Sequence, residues 1–314
     1  MQFTNRFLIM IIVAISIYAI FLMLSDFTAI WDKMSHFKIQ FLPIILVLVP
    51  CSWLALLARW ILLLRNTNVI IPFKQNLKIY FAGYALAITP GKFGELIKSQ
   101  LMKTKFNIPH TTTAPLVLIE RLYDLVGAVA VSFVGVWTLG IGSYVIIAAS
   151  IVLGFAFLII SSHKIFEKFV NSFGKIKFTS KLIKPFYESY EIMRSSSRGK
   201  IVVLASSCTV VYWFLESLGV YFILLAFGID SIHYLNVVST YASSLILGAL
   251  SFIPGGIGVA EGSLVGLLSL QGIEISNVFV LVVLIRIFTL WYSVSVGFVA
   301  LKLSGGFSIQ SKTI

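Results

Sequence analysis

Six stretches of this chain are apolar over enough residues to cross a lipid bilayer as helices, and they constrain the fold more than any other feature: residues 7–24, 41–64, 115–139, 144–160, 201–227 and 277–301. A spanning helix takes about 20 residues. Only 11% of the chain is charged, where soluble domains carry about 25%. Its 314 residues would allow two soluble domains, but this composition argues for a single membrane domain over residues 1–314. The expected class is an all-α polytopic membrane protein.

The net charge of +12 would suggest nucleic acid in a soluble protein. In a membrane chain it points instead to cytoplasmic loops rich in Lys and Arg, with anionic lipid headgroups as their partners and no nucleic acid. Arg6 precedes the first stretch as in a signal peptide. No small-residue cleavage site follows, so a retained anchor helix is expected. Two further apolar stretches do not fit as spans. Residues 77–89 stop at Pro90, and residues 237–253 run into "PGGIGVAEG". Each is followed by a second short piece and reads as a re-entrant hairpin.

Loop charges support that reading. Arg65, Lys74 and Lys78 precede the first hairpin, and Lys98, Lys103 and Lys105 follow its break, so both flanks belong in the cytoplasm. "GIGS", "GIDSIHY" and "GIEIS" carry no Lys or Arg and belong outside. Residues 164–200 hold nine Lys/Arg against three Glu and belong inside. That segment alternates basic and apolar residues, as an amphipathic helix on the inner leaflet would, broken near Pro185. Arg6, Lys302 and Lys312 place both termini in the cytoplasm. The first outer loop fits least well, because Lys33 and Lys38 offset Asp26 and Asp32. The expectation is about six transmembrane helices plus two re-entrant helical hairpins, in the cell (plasma) membrane.

The hairpins are related. "TPGKFGE" at 89–95 matches "IPGGIGVAE" at 253–261, both reading Pro-Gly-x-apolar-Gly and then Glu. Glu95 is followed 26 residues later by Arg121, and Glu261 is followed 25 residues later by Arg286. Each hairpin is also preceded by a span with an embedded charge, Arg59 or Glu216. The chain therefore divides into repeat one (41–139), a connector (161–200) and repeat two (201–302). By the loop charges the two halves are inverted, the architecture of many secondary transporters.

Proline and glycine end a helix and let the backbone turn. Exposed peptide groups are too costly in lipid, so these breaks are expected to line a cavity. A helix starting near Phe93 or Val259 would aim its N-terminal amides there and favour an anion, helped by Lys92. Charges embedded in spans mark sites, because each is costly unless paired or hydrated. The candidate substrate-binding residues are Pro90, Gly91, Lys92, Gly94, Glu95, Glu120, Arg121, Asp124, Pro254, Gly255, Gly256, Gly258, Glu261 and Arg286. Glu120 and Asp124 share a helical face, while Arg121 is turned about 100° away and free to meet a neighbouring helix. Glu261 or Glu216 would offset Arg286. Arg59 weighs less: it lies about 9 Å of helix from Arg65 and is able to snorkel inward. Glu216 is similar. Cys51 and Cys208 lack CxxC spacing, the four histidines lack metal-ligand spacing, and no P-loop is present. No metal, cofactor or enzymatic activity is expected.

"YALAITPGKFGELIKSQLM", "APLVLIERLYDLVG", "LSFIPGGIGVAEGSLVGLL" and "LIRIFTLW" resemble the flippase-like membrane family, also described as the transmembrane region of lysylphosphatidylglycerol synthases. The resemblance spans essentially the whole chain. It implies a polytopic bundle that moves or handles lipids or lipid-linked precursors. In bifunctional members such a region precedes an aminoacyl-phospholipid synthase region with a cytosolic catalytic domain. This sequence ends at Ile314, so aminoacylation by this chain alone is not expected. Two functions follow as expectations. One is a flippase or transporter for an anionic phospholipid or lipid-linked precursor. The other is a non-transporting partner that presents lipid to a separate synthase or glycosyltransferase.

Overall fold

A computed structural model describes residues 37–139, 143–174 and 183–306, and these are helical with no strand among them. The 3₁₀ turn Ile39–Phe41 leads into α1 (Leu42–Asn66). Next come α2 (Phe73–Tyr84), a 3₁₀ segment (Pro90–Leu96), α3 (Ile97–Phe106) and α4 (His110–Leu139). The connector region holds α5 (Ser143–Ser161), α6 (His163–Gly174) and α7 (Ile183–Ser195). Then follow α8 (Lys200–Ala226), α9 (Tyr234–Leu250), a 3₁₀ turn (Pro254–Gly256) and α10 (Val259–Ser269). Finally α11 (Ile275–Arg286) passes through a π-turn (Ile287–Trp291) into α12 (Tyr292–Leu303).

Among the described residues three helical runs are long and apolar enough to cross a membrane: Ile39–Asn66, Lys200–Ala226 and Ile275–Leu303. A fourth crossing results if Ile146–Ile160 and His163–Ser172, bent by 102°, are taken as one broken span. The expected first span, 7–24, lies outside the described residues. The other expected spans fall within α1, α4, α5, α8 and the α11–α12 run. Helix α4 starts five residues earlier than the apolar run, at His110, so Pro115 lies inside it. Pro185 sits in the first turn of α7, two residues after its start at Ile183, where proline is tolerated; residues 175–182, between α6 and α7, lie outside the described residues.

Each Pro-Gly motif is a break between two short helices whose arms pack together, α2 with α3 and α9 with α10. Packing between the halves is reciprocal. Helix α1 lies along α8, α4 lies on α9, α12 lies on α2, and the two Pro-Gly turns meet each other. The post-hairpin run of each half thus covers the first hairpin arm of the other half. Close approach needs small residues, since lipid supplies little hydrophobic drive between helices. Gly297 on α12 sits against the backbone of Tyr84 and Ala85, where a Cβ would overlap the main chain. Trp60 Nε1 donates to Asn76 Oδ1 at 2.9 Å, tying α1 to α2. Trp213 Nε1 donates to the Asp124 carbonyl at 3.1 Å, tying α8 to α4.

Candidate functional site

The two breaks solve one problem in two ways. After the first, the Gly94 amide donates to Thr89 Oγ1 at 2.6 Å, and that hydroxyl donates to the Leu86 carbonyl at 2.7 Å. The second copy has Ile253 in place of the threonine. There the Gly258 amide donates to Glu261 Oε2 at 2.7 Å, as a capping carboxylate in the first turn of α10. Gly258 has φ +91°, a backbone conformation that residues with a side chain rarely adopt. The different glycine-to-glutamate spacing of the repeats follows from this: Glu261 caps its own helix, while Thr89 frees Glu95 for another role. Helix α10 starts at Val259 as expected, but α3 starts at Ile97, four residues beyond Phe93. The Gly94 and Gly258 amides are already used within the protein, so anion attraction falls to side chains.

Glu95 joins a closed ring of six alternating charges. Arg59 Nη1 lies 2.7 Å from Asp124 Oδ1, and Asp124 Oδ2 lies 2.9 Å from Arg121 Nη1. Arg121 Nη1 lies 3.2 Å from Glu95 Oε1, and Lys98 Nζ lies 3.0 Å from Glu95 Oε2. Lys98 Nζ continues to Glu120 Oε2 at 2.6 Å, and Glu120 Oε1 closes the ring to Arg59 Nη2 at 3.6 Å. Three cations and three carboxylates cancel, which removes most of the cost of burying each one. Arg59 also donates to Thr209 Oγ1 at 2.8 Å. The Lys98 ammonium lies 4.8 Å from the Trp60 ring centre and 4.9 Å from that of Tyr80.

The ring corrects two expectations. Lys98 is not a cytoplasmic loop charge: it is fully buried between two carboxylates. Arg59 does not snorkel to the surface: it is fully buried and faces Glu120 and Asp124, whose i,i+4 spacing puts both on one side of α4. Arg121 reaches the first hairpin at Glu95, as expected of a side chain turned away from Glu120, and it also pairs with Asp124 on its own helix. The Glu95–Lys98 spacing of three was the sequence signal for Lys98.

Repeat two carries a simpler pair. Arg286 Nε donates to Glu261 Oε1 at 2.6 Å, and Nη2 donates to the Gly255 carbonyl at 2.7 Å. The side chain thus clamps the break that precedes its partner. A π-turn begins at the next residue, a distortion common at functional sites. Glu216 does not meet Arg286; it is bonded by Ser52 and Tyr241.

One cavity of about 390 Å³ lies between the halves. Gly91, Lys92, Glu95, Arg121 and Asp124 line it from repeat one, and Gly255, Gly256 and Arg286 from repeat two. Pro90, Gly94, Glu120, Pro254, Gly258 and Glu261 do not line it; they shape the turns or hold the residues that do. The Arg121 and Asp124 side chains retain 21% and 19% exposure, so the ring opens to the cavity there. Most of the lining is apolar, including Trp53, Leu56, Leu122 and Leu245. Lys92 is exposed and has φ +56°, a left-handed conformation rare outside glycine. The residue aligned with it, Gly256, has φ +66°. A lysine held where its counterpart is glycine marks the side chain as the reason for it.

The profile of the lysylphosphatidylglycerol synthase TM region family matches residues 9–297. A UPF0104 membrane protein of Methanocaldococcus jannaschii is 28% identical over 214 residues, covering 64% of this chain and 86% of that protein. A UPF0104 membrane protein of Pyrococcus horikoshii is 24% identical over 319 residues, covering 92% of this chain and 94% of that protein. A third, from Methanothermobacter thermautotrophicus, is 27% identical over 127 residues, covering 40% of this chain and 37% of that protein. No solved structure matches the chain. Similarity over residues 9–297, which include both breaks and the charge ring, means that this chain belongs to the lysylphosphatidylglycerol synthase TM region family.

Proposed function

We propose that this protein moves an anionic phospholipid or lipid-linked precursor across the cell membrane. The observation that carries the reading is a cavity bounded by both Pro-Gly turns, with apolar walls and charged groups from both halves of the chain. Its volume suits a headgroup, the acyl or polyprenyl chains staying in lipid. Lys92 and Arg121 would meet the anion, and Glu95 and Asp124 would hold Arg121 in place. The reading includes six crossings and two re-entrant hairpins in an inverted repeat, with both termini cytoplasmic. Reciprocal packing of the halves supports it. No bond is made or broken, so the activity is transport and not catalysis.

The test is headgroup accessibility in proteoliposomes carrying a fluorescent anionic phospholipid or polyprenyl phosphate, with a membrane-impermeant quencher outside. Wild type should expose the protected pool, and Arg121→Ala and Glu95→Gln should slow this severely. Rates equal to empty liposomes for both lipids would overturn the reading. A second reading rests on α6, which turns sharply from α5 and exposes Ile165 and Phe169 beside Lys164 and Lys168. Such a helix suits the membrane surface or a docked synthase or glycosyltransferase. That reading predicts that Lys164→Gln with Lys168→Gln abolishes function while Arg121→Ala does not.

A further inference from the structure

Every embedded carboxylate described so far faces a cation except one. Glu216 on α8 is 4% exposed and lines the cavity, and among the described residues it forms no ion pair. Its neighbours are hydroxyls. Ser52 on α1 lies 2.9 Å from Oε2, and Tyr241 on α9 lies 3.2 Å from Oε1. Tyr212, one helical turn earlier on α8, and Tyr84, at the end of α2, face the same cavity. The cations on the surrounding elements are committed elsewhere: Arg59 to Asp124 and Thr209, Arg286 to Glu261 and the Gly255 carbonyl. Lys92 lines the cavity, within electrostatic reach of Glu216.

Ser52 supplies the decisive geometry. Its hydroxyl has one proton but two oxygens at bonding distance, the Val49 carbonyl at 2.7 Å and Glu216 Oε2 at 2.9 Å. If Glu216 is ionised, one of these contacts is repulsive, and a carboxylate without an ion pair sits buried in lipid-embedded protein. That burial costs far more than one hydrogen bond returns. If Glu216 is protonated, its O–H donates to Ser52 Oγ, Ser52 donates to the Val49 carbonyl, and Tyr241 donates to Oε1. Every group is then satisfied.

We infer that Glu216 is a proton-binding site, and that loading and releasing this proton couples to movement of the anionic lipid. The inference rests on the transport reading for its second half only. In the loaded state Glu216 is neutral, and Lys92, which makes no ion pair among the described residues, is available to the lipid anion. On release the proton passes to water in the cavity and leaves a carboxylate. That carboxylate draws the Lys92 ammonium away from the lipid. Proton and anionic lipid therefore bind together and leave together.

Infrared difference spectroscopy of the reconstituted protein, without anionic lipid, tests the site directly. At neutral pH wild type should show a protonated-carboxyl C=O band that Glu216→Gln removes and Glu274→Gln, at an exposed position, leaves intact. Ser52→Ala should shift the band, because the acid loses its acceptor. Loss of carboxylate bands in Glu216→Gln, with no protonated band in wild type, would overturn the proton site. So would a change in the Glu216 signal on adding sodium at fixed pH, which would make it a metal-cation site. The coupling is read from anionic-lipid binding against pH. Wild-type affinity should fall about tenfold per pH unit above the transition, and Glu216→Gln should be insensitive. Equal pH dependence in both proteins would overturn the coupling. A clear carboxyl band with no lipid movement would keep the proton site and remove the transport reading.

Discussion

Lys98→Met isolates the energetics of the charge ring. Methionine keeps an aliphatic stem to pack beside Gly83, where the lysine Cγ and Cδ now lie. What is lost is an ammonium 2.6 Å from Glu120 and 3.0 Å from Glu95. Glu95 retains Arg121, but Glu120 is left with Arg59 at 3.6 Å, too long for a hydrogen bond. The ring then holds two cations and three carboxylates, all but Arg121 and Asp124 almost fully buried. Removing one partner of a buried pair costs about 3–5 kcal/mol. Loss of the contacts to Trp60 and Tyr80 adds up to about 2 kcal/mol. We expect a loss of about 3–7 kcal/mol, read as a large fall in the temperature at which detergent-solubilised protein stops eluting as a single species. Glu120→Gln added to Lys98→Met restores two cations to two carboxylates. The double variant should be at least about 2 kcal/mol more stable than the sum of the singles predicts. A Lys98→Met protein within about 1 kcal/mol of wild type, or strict additivity of the pair, would refute the claim that the ring is an electrostatic unit.

Other expectations follow from particular contacts. Lys92→Gly relieves a left-handed lysine, so stability should hold or rise by up to about 1 kcal/mol while anionic-lipid movement falls; thermal unfolding and quenching assays read the two separately. Gly297→Leu drives a side chain into the Tyr84–Ala85 backbone and should abolish monodisperse expression. Arg286→Met takes the cation from Glu261 and the donor from the Gly255 carbonyl, and should make residues 253–258 the first point of protease attack. In a background without Cys51 and Cys208, a cysteine at exposed Ser231 should react with an impermeant maleimide only from outside, and one at exposed Thr104 only from the cytoplasm. The opposite pattern would reject the proposed orientation.

Much of the fold was legible because lipid leaves few options. An apolar run of spanning length is a helix, and the bounds of α1, α5, α8 and the α11–α12 run lie within about two residues of the apolar runs. The Pro-Gly breaks were legible because proline and glycine interrupt a helix through local chemistry. Charge placement was less so. Lys98 counts as a basic loop residue in any tally of lysines, and only its i,i+3 relation to Glu95 hints otherwise. Arg59 and Arg65 look equally able to reach water, yet α4 and α8 close over Arg59 alone.

The sequence by itself determined the class, most of the helices and the two breaks, since each follows from local backbone chemistry and hydropathy. It also held the reason for the unequal motifs, Thr89 against Ile253, although hydrogen bonding had to reveal it. Only the tertiary structure decided which charges meet. Arg59, Glu95 and Glu120 come from three separate helical segments, and their distances depend on how those segments cross. The same packing brings the two Pro-Gly turns together around one cavity and leaves Glu216 facing hydroxyls instead of a cation. The pairings between elements, such as Arg59 with Asp124 and Lys98 with Glu120, are set by how helices cross, and no pattern along the chain encodes those.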